Sequence, residues 1–257
     1  MVDMHRSSAG RHRRALGLGL AVSLWAAAAT GQEASSPPSS TPSDGQLASA
    51  RCIIGEEKFL PADYFYCLAS QSYGQHRYSY AQKFFQQAAA WGSKPAQYVL
   101  GVMALNGDQQ PVDRPLALAW LRLAAERQRA DYQQAYQQLY AATSAREHQA
   151  AEALLRSMRP TYGDAVAAVR AESRYHDGMK QLTRMGNGST YCMEGMFDTA
   201  ALAGDTPGGG VPPSISPTQC PSVQAVAATV DKQAASVFDG WQGHVTVGAL
   251  QAVTPSP

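Results

Sequence analysis

The sequence predicts a mainly α protein: an α-solenoid of helix-turn-helix repeats followed by a small C-terminal β-containing module. Three observations predict it. The middle of the chain superposes on itself when shifted by 36 residues, a period typical of stacked helix pairs. Helix start and stop signals punctuate that region at matching places. Beyond Gly186 the helical period gives way to a stretch rich in Gly, Pro, Ser and Thr.

Residues 1–31 read as a secretory signal peptide. Arg6, Arg11, Arg13 and Arg14 precede an uncharged run from Ala15 to Thr30 that ends in small residues, with cleavage expected after Ala29 or Gly31. At 16 residues the run is short for the roughly 20 that span a bilayer. Contact with the membrane is therefore expected only through this transient signal, and the mature chain is expected in the periplasm or secreted. Residues 32–50 are a Ser/Pro-rich linker, too poor in apolar residues to fold. The 257 residues carry a net charge of +1, but four Arg and one Asp lie in residues 1–31, leaving 17 basic against 19 acidic residues. A mature charge of −2 argues against a nucleic-acid partner, which would meet a basic face.

All four cysteines (Cys52, Cys67, Cys192 and Cys220) fall in the exported part, where an even count favours disulfides over metal or redox chemistry. Three pairings are open, and proximity in sequence favours Cys52–Cys67 with Cys192–Cys220.

Residues 51–160 form the predicted repeat domain. The 36-residue shift places Ala81 on Ala117, Phe84 on Trp120, Phe85 on Leu121, Ala88 on Ala124 and Ala89 on Ala125. It also carries Leu60 to Ala96 to Tyr132, Tyr64 to Leu100 to Tyr136, and Cys67 to Met103 to Leu139. Pro95 opens a helix whose apolar face is Ala96, Val99, Leu100 and Met103, and Asn106-Gly107-Asp108 stops it. Asp113 stands as the next N-cap, with Pro115 in the first turn where a missing N–H costs nothing. Leu116, Trp120, Leu123 and Ala124 line the second helix. Ser144-Ala-Arg-Glu147 is a capping box for a closing helix through Ala150, Ala153, Leu154 and Met158, which Pro160 is expected to end.

The stretch Ala96–Gly101 (AQYVLG), with Leu100 and Gly101, then Gly107, Asp113, Ala117, Trp120, Ala124 and Ala125, resembles the Sel-1-like repeat, a branch of the tetratricopeptide-like α-solenoids. Gln128 and Gln137 depart from it by replacing the glycines found at Gly92 and Gly101, so helix termination after Arg127 is an open point. The resemblance implies adaptor work, with a protein or peptide partner bound along a groove. It implies packing roles for the signature residues and transfers no catalytic residue. Of 22 aromatic residues, 15 fall between Phe59 and Tyr140, and Tyr73, Tyr78, Tyr80, Tyr132 and Tyr140 are the candidates to reach such a groove.

Residues 161–185 are predicted as a helical connection, amphipathic through Val166, Val169, Ser173, Tyr175, Met179 and Leu182. Residues 186–257 are predicted as a Gly/Pro-rich loop and a disulfide-pinned tail. A short strand is expected at Tyr191–Met196, a helix over Val223–Ala235, and one or two strands over Ser236–Leu250 with a turn at Asp239–Gly243.

Chemistry-bearing motifs are sparse. No nucleophile elbow, phosphate loop or His-Glu-x-x-His occurs, and neither a cofactor nor a metal is expected. His148 and Glu152, four apart, and Glu194 are the residues an envelope-acting hydrolase would use. The expected function is an exported adaptor, not an enzyme. The alternatives are that hydrolase and a structural accessory subunit whose groove holds its own tail.

Overall fold

The computed structural model describes residues 42–108, 110–186, 188–193 and 220–241. Residues 1–41, with the expected signal and most of the linker, lie outside them, as do Glu194 and the segment 242–250. The end of the Ser/Pro-rich stretch is not extended: Asp44–Ala48 forms α1, closed by a reciprocal capping box between Ser43 and Gln46.

Two helix pairs follow. Helix α2 spans Pro61–Gly74 and packs against α3, Tyr78–Ala90. Helix α4, Lys94–Asn106, packs against α5, Arg114–Ala124. Each boundary has a local cause. Ser93 caps α4 by accepting from the Ala96 N–H, and Asp113 caps α5 by accepting from the Leu116 N–H at 2.9 Å. Gly107 ends α4 with φ of 77°, and the Asp113 N–H closes the turn onto the Ala104 carbonyl at 2.8 Å. Gln128 adopts φ of 58°, the same left-handed region as Gly92 at 82°, so the chain turns there without glycine.

Most of the residues that superpose at 36 are interior, with Tyr64, Cys67, Phe84 and Tyr136 half-buried. Ala81, Phe85, Ala88, Ala89, Ala117, Leu121, Ala124 and Ala125 are all buried, as are Leu60, Ala96 and Tyr132. Alanines let the helices approach closely, and the aromatic rings fill the space beside them. Gly101 belongs to the same device, since a Cβ there would stand 2.9 Å from the Leu121 side chain.

The third pair departs from the pattern. Helix α6 (Ala130–Ala141) lies on α5, and α7 (Ala145–Tyr162) also makes its main contact with α5. The capping box at Ser144 and Glu147 starts α7, but Pro160 does not end it. Proline there deprives only the carbonyl of Arg156 on the exposed side, and the Tyr162 ring sits edge-on to Trp120 at 4.7 Å, holding the last turn down. The buried face of α7 is Ala151, Leu155 and Met158, with Ala150 and Ala153 exposed.

After Gly163, α8 runs over Asp164–Arg184. Its buried face is Ala167, Ala168, Ala171, Gly178 and Leu182, while Val166 and Val169 point outward. Helix α9, Val223–Val237, packs on α8 through Val223, Val226, Val230 and Ala234. The disulfides are Cys52–Cys67 and Cys192–Cys220, with Cα atoms 5.6 and 4.9 Å apart.

The β-containing module finds no support. Among the described residues no strand forms, and Thr190 meets Ser222 only in an isolated antiparallel bridge. The apolar residues at Val237 and Phe238 that suggested a strand extend a helix instead. Val230, Ala234 and Phe238 recur every four residues, so Phe238 adds one more buried contact to the face of α9.

Candidate functional site

The first turns of α2 and α4, the start of α6 and the end of α9 surround a hollow of about 120 Å³. Its polar lining includes Asp63, Lys94, Arg127, Arg129, Tyr132 and Asp239.

One wall is a buried ionic cluster. Lys94, 3% exposed, donates to Glu126 at 2.8 Å, to the Leu123 carbonyl at 2.8 Å and to Gln97 at 3.1 Å, and lies 3.0 Å from Asp164. Arg127 meets both oxygens of Asp164, at 2.9 and 3.1 Å, and donates to the Gly92 and Val237 carbonyls. The cluster ties the α3–α4 turn, the α5–α6 turn, the start of α8 and the end of α9 together. Its cations are neutralised and hydrogen-bonded, which is the condition for burying charge.

The opposite wall is acidic. Asp63, at the third position of α2, is solvent-accessible but walled in, and burial raises its carboxyl above the usual range. Beside it Glu56 is 4% exposed, and its carboxyl is pushed up to about 8 by burial first, then by Asp63 and Glu57. Neither side chain forms a hydrogen bond or ion pair among the described residues.

Tyr132 closes the hollow toward α6. It is buried, its ring stacks on Tyr98 at 5.0 Å, and the Arg129 guanidinium lies 4.5 Å over its face. Burial pushes its phenol up to about 12. Arg129 is itself engaged by Asp131 at 2.6 and 3.1 Å, and that bonding holds the Asp131 carboxyl below its ordinary value.

The five candidate tyrosines fall in two places. Tyr73 and Tyr78 meet edge-on at 5.1 Å across the α2–α3 turn, and Tyr80, two residues further along α3, stands 57% exposed. Tyr132 and Tyr140 lie near opposite ends of α6, and Tyr140 stacks on His148 at 3.7 Å. No ring contact links the two groups among the described residues, and of the five only Tyr132 borders the hollow.

His148 serves the α6–α7 turn: its Nε2 lies 2.9 Å from Thr143 Oγ1 and 3.0 Å from the Tyr140 carbonyl. Glu152 borders with it a recess of about 10 Å³. Among the described residues no group of three His, Cys, Asp or Glu side chains could hold a metal ion. Glu194 lies outside those residues.

Glu56, Asp63, Lys94, Arg127 and Asp164 escaped the sequence reading. The available signal was positional: Lys94 and Arg127 both occupy the turns between helix pairs, where an array usually meets solvent. No protein family, curated protein or solved structure matches the chain.

Proposed function

We propose that this chain is an exported helical-repeat adaptor of the Sel-1-like type. It binds a protein or peptide partner across the ends of α2, α4 and α6. The observation that carries this reading is the hollow itself: successive repeat helices present corresponding ends to one open space lined by a carboxyl, a guanidinium and an aromatic ring. Stacked helix pairs offer such a continuous surface because each buries one face on its neighbour and leaves the other free. The two disulfides suggest an oxidising, extracytoplasmic compartment, and no helix among the described residues is long and apolar enough to cross a membrane.

A second reading has its own support. Phe59 and Leu60, at the entry to α2, are buried by α8 and α9, so the C-terminal helices already occupy one flank of the array. That arrangement suits a structural accessory subunit.

Displayed decapeptide libraries, probed with the oxidised mature chain, separate the two. The adaptor reading expects a recurrent peptide motif whose capture is lost in Asp63→Lys/Asp239→Lys at unchanged thermal stability. No enrichment, or enrichment indifferent to that variant, rejects the hollow as a docking site and favours the accessory role.

A further inference from the structure

Charge bookkeeping around the hollow points to what it would take. Each of its three cations is already engaged: Lys94 by Glu126 and Asp164, Arg127 by Asp164, and Arg129 by Asp131. What remains on the walls is Asp63 from α2 and Asp239 after α9, with no side-chain hydrogen bond or salt bridge of their own. Behind Asp63 stands Glu56, more than nine-tenths buried and equally unpartnered among the described residues. Carboxyls held close together without partners repel one another, and either protonation or a cation relieves them. The helix N-termini would favour an anion here, but the carboxyl of Asp63 occupies the first turn of α2 and leaves no donor-lined pocket for one. The space suits the head and last methylenes of a long side chain, with the Tyr132 ring as a flat wall.

Resting on the adaptor reading above, we propose that the hollow receives a basic side chain of the partner, an arginine guanidinium or lysine ammonium, with Asp63 as its counter-charge. Glu56 acts as a positioning residue, adding negative potential behind Asp63 once a cation draws the pair toward ionisation. Arg129 and its ion partner Asp131 form the rim, and Asp239 supplies a second acceptor from the α9 side.

The test uses the full oxidised mature chain and two small probes, N-acetyl-argininamide and its neutral isostere N-acetyl-citrullinamide, followed by amide shifts in NMR. The arginine probe is expected to shift the amides of Asp63, Tyr132 and Val237–Asp239 saturably. Affinity should fall about tenfold when the citrulline probe replaces the arginine probe, and the arginine probe should lose about the same in Asp63→Asn, since either change removes one charge-assisted hydrogen bond. Equal shifts with both probes, indifference to Asp63→Asn, or shifts confined to other surfaces overturn the proposal. So does a response at the same amides to N-acetyl-aspartamide in place of the arginine probe. Asp63→Asn is isosteric at a solvent-accessible position, and an unchanged melting curve shows that any loss is not unfolding. Libraries that enrich peptides without arginine or lysine overturn this inference and leave the adaptor reading standing. Binding of the arginine probe with no peptide captured rejects the adaptor reading alone.

Discussion

The helix-pair array and the C-terminal helices bury their apolar surface by different means. In the array, Ala81, Ala88, Ala89, Ala96, Phe85, Leu100, Met103 and Trp120 share one core, and its alanines and large side chains alternate with the repeat. The second core gathers Phe59 and Leu60 from before α2, Ala171 and Leu182 from α8, and Val226, Val230 and Phe238 from α9. Its parts are distant in sequence and share no period. A disulfide and a single bridge between Thr190 and Ser222 hold the start of α9 in place. A repeating core can be built from local contacts alone, whereas a core assembled from separate segments needs fixed points. The ionic cluster of Lys94, Glu126, Arg127 and Asp164 lies on the seam between the two and supplies those points.

The largest effect is expected where that seam is cut. Arg127→Ala leaves Asp164 with only Lys94 and removes the donors to the Gly92 and Val237 carbonyls. Breaking a buried pair from one side costs about 3–5 kcal/mol. Urea unfolding should show a loss of that order. Hydrogen exchange should open α8 and α9 before α4 and α5. A loss below about 1 kcal/mol, the scale of an exposed pair, or simultaneous opening of both cores would show that the cluster does not join them.

A pH effect of intermediate size distinguishes the acidic wall from the rest. Glu56 is raised from 4.5 to about 8 in the folded chain, so the fold favours its protonated form. Its contribution to stability is therefore fully present below pH 4.5 and is lost as pH rises through about 8. The groups that face it are Asp63 and Glu57, with burial as the leading cause. Glu56→Gln keeps the shape and removes the titration. Wild type and variant should match near pH 4.5. At pH values above about 8 the variant should be more stable, by at most about 5 kcal/mol. Parallel stability curves across this range would mean that Glu56 ionises as freely in the fold as outside it.

The two cores were not equally legible in the sequence. Helix limits at Gly107, Asp113 and Ser144 follow from caps and turn residues whose effect is local, and the structure places them as read. The packing face of α8 is legible only in part: Leu182 is buried and Tyr175 and Met179 pack on the second core, but Val166 and Val169 are apolar yet exposed, and the helix buries the small residues Ala167, Ala168, Ala171 and Gly178. Gly178 is required by contact, since a Cβ there would stand 2.7 Å from the Phe59 ring and the Lys58 carbonyl. Hydrophobicity does not reveal such a site; only the neighbour does. The hollow was hidden for the same reason. Asp63, Lys94, Arg129 and Asp239 are ordinary surface residues in sequence, and the return of α9 to the array is what brings them to one space.

The smallest effect concerns the turn that occurs in both successive repeats. Gly92 and Gln128, 36 residues apart, both adopt positive φ, at 82° and 58°. At Gly92 the backbone conformation strains any side chain, and the position is buried, with Ala168 and Arg127 already in contact at 3.4 Å from the position of a Cβ. Gln128 is exposed, so it meets the conformational strain without the crowding. Gln128→Gly removes that strain, and the extra freedom glycine gives the unfolded chain offsets part of the gain. A net stabilisation of about 0.5–1 kcal/mol is expected by thermal or urea unfolding. The reciprocal Gly92→Gln should destabilise by more than this, because α8 and the Arg127 guanidinium would have to move as well. Equal and opposite effects at the two positions would mean that the contact with α8 adds nothing to the backbone term. An excess at position 92 measures how far the C-terminal helices have tied down a turn that is free in the next repeat.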